Sequence, residues 1–338
     1  MTDTASTPAA APVAADVLVL RPEADFARVG AMPPASLNVA YTGPADPDLK
    51  ARIAAARALV IPAVGPKLPP ELFEGAKLSL VQVTGAGLDR LDKAAMQGFG
   101  IPVANVPGGS NAALAEYAVS TALVMLRRFS WSNAEIRAGR YIESRAKQLA
   151  ENLGGLGGLT VGVVGFGVIG AAVAAAFHRM GSRIVFYDPA PADPSAAAAL
   201  DAEALPLDRL LAEADVVTLH VPLLPATQNL IGAAQLASMK KTAVLIQAAR
   251  GGIVDEHALA AALEAGTIAG AAVDVYSVEP PPADNPLVAI GEAGAARLLL
   301  TPHIAGVTRQ SAATLFRSSW ENVERVLGQG EPPRHRVY

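Results

Sequence analysis

Short runs that are apolar at nearly every position recur along the chain: VLVL (17–20), LNVAY (37–41), ALVIP (58–62), LSLVQVT (78–84) and PVANV (102–106), then TVGVVG (160–165), RIVFYD (183–188), VVTLHV (216–221), AVLIQA (243–248), GAAVDVY (270–276) and RLLLTP (297–302). Continuous runs, as opposed to alternating ones, mark strands buried on both faces. Ala- and Leu-rich stretches at helical spacing separate them, such as DPDLKARIAAA and LDRLDKAAMQG. Strand and helix in alternation build parallel, doubly wound sheets. A long helical pattern over about 111–129 splits the runs into two series, and an amphipathic pattern over about 308–327 closes the chain. The expected fold class is therefore α/β with two doubly wound parallel-sheet domains, which suits a length of 338 residues.

The composition, 51% hydrophobic and 17% charged, can fill two cores and is not that of a disordered chain. Net charge is −4 and no long basic tract is present, so no nucleic-acid partner is expected; the basic PRHRVY end is short. With no cysteine, disulfides, thiolate nucleophiles and cysteine-based metal sites are excluded, and no metal site is expected. The first residues, MTDTASTPAAAPVAA, lack the basic start of a signal peptide and read as a flexible tail over 1–15, with a cytoplasmic location expected. Residues 153–177 carry no charge over 25 positions, long enough to span a bilayer. Eight of them are glycine, however, and the stretch divides into a Val-rich strand and an Ala-rich helix around a glycine turn, so no membrane partner is expected.

That turn is GFGVIG, Gly165-Phe166-Gly167-Val168-Ile169-Gly170, with glycine at its first, third and sixth positions. Following a strand and opening a helix, it predicts a dinucleotide site. Gly165 permits the tight turn, Gly167 lets backbone approach a pyrophosphate, and Gly170 lets helix pack on strand. The helix start offers unpaired N–H groups to the phosphates. Eighteen residues beyond Gly170, the next strand ends at Asp188. A carboxylate there accepts from both adenosine-ribose hydroxyls and repels a 2′-phosphate, so NAD is the expected cofactor; a turn carboxylate before Pro189 is the plainer alternative.

Arg250, in QAARGGIVDEHAL, follows a buried strand at the edge where open α/β sheets bind ligands. Its guanidinium suits bidentate grip on a carboxylate, or a structural strand-end cap. VDVYSVEPPPADNPL places Asp274 inside an apolar strand and Glu279 in the following loop. Buried acids need partners, and a carboxylate beside an imidazole orients it for proton transfer. Of the five histidines, His178, His257 and His335 lie on a helix, in a helix start and in the tail. His220 ends a strand without an evident acid partner. His303, in RLLLTPHIAG, is open to two readings: an acid/base, or a core histidine bonded to its neighbours.

In this order, GFGVIG with YDP, LHVPLLPATQNLI, ARGGIVDEHAL, DVYSVEPPPADNPL and TPHIAG resemble the D-isomer-specific 2-hydroxyacid dehydrogenase family, as do VTGAGLDRLD (83–92) and GIPVANVPGGSNAALAE (100–116). The resemblance covers about residues 55–330. It implies a Rossmann NAD domain, 113–305, inserted in a flavodoxin-like substrate domain made of 16–112 and 306–338, and a homodimer. It puts the catalytic set on Arg250, Glu279 and His303, which selects the acid/base reading of His303. Beyond the glycine motif and Asp188, it implies cofactor contacts from Val221, Pro222, Thr227, Ala248, Arg250, Asp274, His303 and Gly306. Gly85, Ala86 and Gly87 with Arg250 would hold the carboxylate of a small 2-oxo acid. The implied reaction is hydride transfer between NADH and C2, with His303 as acid/base.

The sequence departs from the family pattern at Gln247-Ala248-Ala249, where Asn-Thr/Val-Ala is usual, and in a longer segment over 141–158 with Tyr141 where Trp is common. The apolar Ile61, Pro62 and Val83 lie where phosphoglycerate dehydrogenases want cations, so an unphosphorylated 2-oxo acid is expected ahead of 3-phosphohydroxypyruvate; Lys67, Arg90, Arg145 and Lys147 are the cations that would reverse this. D-3-phosphoglycerate dehydrogenase is the alternative enzyme. Corepressors of the C-terminal-binding-protein type share the pattern as NAD-responsive binding proteins; an acidic chain without a long extra tail favours the enzyme.

Overall fold

The computed structural model describes residues 15–151, 153–190 and 194–338. The tail expected over 1–15 lies outside them, save for Ala15. The chain divides into two compact units: Met1–Gly109 with Arg309–Tyr338, and Ser110–Thr308. Both crossings lie three residues from the 112/113 and 305/306 expected, because each falls at the start of a helix whose first turn stays with it.

The first segment runs β1 (Val17–Val19), α1 (Glu23–Arg28), β2 (Val39–Tyr41), α2 (Leu49–Ala55), β3 (Ala58–Ile61), β4 (Leu80–Val83), α3 (Lys93–Gly98) and β5 (Val103–Ala104). The inserted unit runs α4 (Asn111–Leu126), α5 (Phe129–Arg137), α6 (Tyr141–Glu151), β6 (Thr160–Val164), α7 (Val168–Arg179), β7 (Arg183–Tyr187), α8 (Pro194–Ala198), β8 (Glu203–Ala204), α9 (Leu207–Glu213), β9 (Val216–Leu219), α10 (Ala233–Ser238), β10 (Val244–Gln247), α11 (Glu256–Ala265), β11 (Gly270–Val273), α12 (Glu292–Ala295) and β12 (Leu298–Leu300). The chain then returns to the first unit as α13 (Arg309–Leu327).

Among the described residues each unit has one parallel sheet. The first is ordered β2-β1-β3-β4-β5, the flavodoxin-like arrangement. One face packs Val17, Val19 and Val60 against Phe26 and against Phe316 and Trp320 of α13. The Phe26 and Phe316 rings lie 4.5 Å apart, and the Trp320 indole N–H donates to Ala31 O at 3.0 Å. The other face packs Leu59, Ile61 and Val81 against Ile53, Phe73 and Met96. Burying each such side chain contributes roughly 1.5–3 kcal/mol. With both faces covered, strand positions are almost all apolar, Gln82 in β4 being a buried exception bonded to Asn322 Nδ2 and Val83 O, and this is why the runs read as continuous.

The second sheet is ordered β12-β11-β10-β9-β6-β7-β8, all parallel. Chain order reverses between β6 and β9, the crevice where doubly wound sheets take their ligands. Residues 153–177 supply β6 and α7 with the glycine turn between them, and among the described residues no helix is long and apolar enough to cross a membrane. The helical pattern expected to reach 129 stops at Leu126, because Arg128 turns left-handed at φ 50. The long 141–158 segment contains α6, an element the apolar pattern did not announce, and Ser144 is its one buried residue among those described.

Candidate active site

Parallel strands send every following loop to one edge. At the carboxyl edge of the second sheet the loops therefore stand in strand order: His303 after β12, Asp274 and Glu279 after β11, Arg250 after β10, His220 after β9, the glycine turn after β6 and Asp188 after β7. Strands lie about 4.8 Å apart, so the glycine turn and the β11 loop are separated by roughly 14 Å. That span suits an extended dinucleotide with its pyrophosphate at one end and its reactive ring at the other.

The glycine turn fits such a ligand. Gly165 has φ 93, and a side chain there would meet the His220 carbonyl at 2.7 Å. A Cβ on Gly170 would strike Gly165 O at 1.9 Å, so α7 packs directly on the turn. A Cβ on Gly167, by contrast, meets no protein atom within 4 Å. Its bare backbone, at the N-cap of α7, faces space that a pyrophosphate could fill. Asp188 accepts from Phe166 N at 2.7 Å and from Ala190 N at 2.9 Å. It braces the glycine turn from the end of β7, and each oxygen keeps a lone pair. Nearby, Thr227 folds onto its own loop, bonding Pro222 O and Leu224 N, with Val221 half-buried above the Gly165 turn.

At the other end His303 Nδ1 lies 2.7 Å from Glu279 Oε2. A carboxylate only accepts, so Nδ1 carries the proton and Nε2 is the nitrogen left for exchange. Glu279 is held in turn through Oε1, which takes Tyr276 N–H at 3.0 Å. His303 itself has φ 55, a left-handed conformation that costs a side-chain-bearing residue roughly 1–3 kcal/mol. Asp274 is 1% exposed, and its carboxylate takes Ile304 N–H at 2.9 Å, Ala305 N–H at 2.8 Å and the Thr301 hydroxyl. The buried acid thus ties down the turn that carries His303, leaving one lone-pair direction on Oδ2. Gly306 ends this turn beside Ser110.

Arg250 reaches the same edge on a turn shaped by its unusual neighbour. Gln247 is buried, donates to Arg250 O at 2.8 Å and accepts from Ala249 N–H at 3.2 Å; Ala248 lies between, half-buried. Gly251 presses against the β11 loop so closely that a Cβ would sit 1.9 Å from Tyr276 O. Glu256, opening α11, accepts from Ser277 Oγ at 2.7 Å and from Asn285 Nδ2 at 2.6 Å, fastening the loop that bears Glu279. His220, with Thr218 Oγ1 at 2.9 Å from Nε2, is the other strand-end histidine. The residue is half-buried, and burial of the ring pushes its pKa down to about 4, so it is neutral near pH 7.

Gly85, Ala86 and Gly87 belong to the first unit, after β4 at the carboxyl edge of its own sheet. Gly85 O accepts from Val106 N at 2.9 Å and Ala86 O from Asn105 Nδ2 at 2.8 Å. A Cβ on Gly85 would lie 2.7 Å from that of Ala63, so the loops after β3 and β4 touch. Among the described residues no group of three or more His, Asp or Glu is placed to hold a metal. Sequence reasoning passed over Tyr276, Glu256 and Thr301, and took Gln247 only as a departure from the family pattern; for Tyr276 and Thr301 the one signal was a polar group shortly after an apolar strand.

Residues 119–305 match the family described as D-isomer specific 2-hydroxyacid dehydrogenase, NAD binding domain. The chain is 40% identical over 246 residues to an (S)-sulfolactate dehydrogenase of Chromohalobacter salexigens, covering 72% of this chain and 76% of that protein. It is 34% identical over 272 residues to a D-3-phosphoglycerate dehydrogenase of Archaeoglobus fulgidus, covering 80% of this chain and 49% of that protein. It spans about half the length, or less, of the D-3-phosphoglycerate dehydrogenases it matches first. The holo form of Rhodotorula graminis D-mandelate dehydrogenase superposes with a TM-score of 0.81 at 26% identity, over 96% of this chain and 97% of that one. With a family match across more than half its length and a dinucleotide edge built as described, the chain belongs to the D-isomer specific 2-hydroxyacid dehydrogenase family.

Proposed function

We propose that the protein is an NAD-dependent 2-oxoacid reductase, working in reverse as a D-2-hydroxyacid dehydrogenase. The observation that carries this reading is the Glu279–His303 pair, 2.7 Å apart at the same sheet edge as a glycine turn shaped for a pyrophosphate. NADH, when bound, supplies the hydride that reduces C2. His303 Nε2 gives a proton to the C2 oxygen, while Glu279 holds the imidazole through Nδ1. The Arg250 guanidinium binds the substrate carboxylate. The remaining Oδ2 lone pair of Asp274 accepts from the cofactor carboxamide, and Val221, Pro222, Thr227, Ala248 and Gly306 line the cofactor's path. Exposed apolar side chains along α5 and α6, including Phe129, Ile136, Ile142 and Leu149, support a homodimer. The absence of cysteine is compatible with a cytoplasmic location.

Asp188 is the residue on which cofactor choice rests. Asp188→Ala removes both an acceptor for the ribose and a brace of the glycine turn. Hydrogen bonds to a charged group are worth about 1.5–3 kcal/mol, so KM for NADH should rise roughly tenfold to a hundredfold. The preference over NADPH should narrow at the same time. Steady-state kinetics with both cofactors checks this; an undiminished preference for NADH would confine Asp188 to bracing the turn.

The favoured substrate is an unphosphorylated 2-oxo acid. Arg90 is 3% exposed and donates to Pro66 O at 2.8 Å and Pro62 O at 3.2 Å, so it clamps the loop after β3. Lys147 sits over the Trp131 ring, 5.1 Å from its centre. Two of the four cations that would favour a phosphate are thus engaged elsewhere, which leaves Lys67 and Arg145 to offset the cost of desolvating a dianion. Turnover of glyoxylate, hydroxypyruvate, phenylpyruvate and 3-phosphohydroxypyruvate with NADH tests the proposal. Hydroxypyruvate should exceed its phosphorylated form in kcat/KM. A large advantage for the phosphorylated acid would reassign the protein as a phosphoglycerate dehydrogenase, and NADH binding without any turnover would favour an NAD-responsive binding protein.

A further inference from the structure

Hydrogen bonds converge on Thr301 from several elements of the second unit. Its hydroxyl bonds the Asp274 carboxylate and lies 2.8 Å from the phenol oxygen of Tyr117 on α4. Its N–H donates to Val273 O at 3.0 Å, and its carbonyl accepts from the Tyr276 hydroxyl at 2.9 Å. Chemistry sets the direction of this chain. Both Asp274 oxygens already accept main-chain N–H groups, so Thr301 gives its single hydroxyl proton to the carboxylate. Tyr117 must then be the donor to Thr301 Oγ1. Burial pushes the Tyr117 phenol up to about 12, so it keeps its proton and the chain conducts none. What the chain governs is position. Its far end grips residues 304 and 305, next to a histidine in the left-handed region, a conformation that persists only where its surroundings over-determine it.

We propose that the Tyr117–Thr301–Asp274 hydroxyl chain positions His303 for proton transfer, with Thr301 as its hub. This rests on reading His303 as the acid/base of the reaction. Thr301 is a positioning residue, acting on His303 through Asp274 and through its own main chain. Valine has nearly the same shape but would leave Asp274 one donor short and the Tyr117 hydroxyl without its acceptor, whereas serine keeps both bonds.

The test compares Thr301→Val, Thr301→Ser, Tyr117→Phe and the double variant Thr301→Val with Tyr117→Phe. A misplacement near 1 Å costs about a hundredfold, so kcat should fall roughly tenfold to a hundredfold in Thr301→Val and by less in Tyr117→Phe. KM for NADH should stay within about twofold, serine should restore most of kcat, and the double variant should be no worse than Thr301→Val alone, as for two members of one network. In parallel, ¹⁵N-histidine-labelled protein reports the hydrogen-bonded Nδ1–H of His303, identified by its loss in His303→Gln. That resonance should broaden or shift in Thr301→Val and return in Thr301→Ser. Parent-like kcat in Thr301→Val, or an equal loss in the serine variant, would overturn the proposal. If the parent itself reduces no 2-oxo acid, the enzymatic reading fails, and the resonance still decides: unchanged in Thr301→Val, it overturns the positioning role, and altered, it supports it.

Discussion

His303→Ala is expected to lower kcat by about 10²–10⁴-fold, the usual loss on removing a general acid/base, while the affinity for NADH stays near that of the parent. The split follows from geometry. The imidazole is fastened to Glu279 through Nδ1 and offers Nε2 outward, and the pyrophosphate turn lies several strands away along the edge. The other strand-end histidine is a poor substitute as proton donor, because burial pushes the pKa of His220 down to about 4. Fluorescence titration with NADH beside steady-state turnover measures both halves. Retention of near-parent kcat would remove His303 from the chemistry, and a parallel collapse of NADH binding would make it a structural residue.

Gly251→Ala should have the second large effect, and on two quantities at once. A Cβ at this position would sit 1.9 Å from Tyr276 O and 2.6 Å from Ser277 N, backbone atoms that cannot rotate away. The loops carrying Arg250 and Glu279 must separate. Overpacking of this kind costs typically 1–3 kcal/mol. In a unit of this size each kcal/mol lowers Tm by about 2–4 °C. Displacing the guanidinium relative to the imidazole by near 1 Å should also cost about a hundredfold in kcat/KM. Thermal melting and kinetics on the same preparation separate the two. A lowered Tm with parent-like kcat/KM would mean that the close approach serves stability alone.

Both sheets were legible in the sequence because their strands are covered on two faces, and a strand with no polar side to display announces itself as an unbroken apolar run. The candidate site was legible where a charged or ionisable residue sits directly beyond such a run, and Asp188, Arg250 and His303 do stand together at one sheet edge. β8 escaped notice because Glu203 and Ala204 are exposed and carry no apolar signal. The α5–α6 pair escaped because its few apolar residues face outward. Least legible were the groups that hold the site in place. Tyr117 and Thr301 meet across 184 residues, and Gln247 folds back over a turn three residues on. Bonds of that kind leave no periodicity. The left-handed backbone of His303 is likewise a property of the surrounding bonds, and nothing in Thr-Pro-His-Ile foretells it.

The division of the first unit between two distant stretches of chain has a consequence for how the protein emerges from the ribosome. Trp320 donates to Ala31, a partner made 289 residues earlier, and with Phe316 it covers the face of the sheet that Val17, Val19 and Val60 present. Until α13 is translated that apolar face is covered only in part, by Phe26 of α1, whereas the inserted unit, contiguous in sequence, has all its own strands in hand. The nascent chain therefore completes its guest before its host, and the early β1–β5 segment must wait, its apolar surface open to chaperones and to misassembly, through the whole synthesis of the insert.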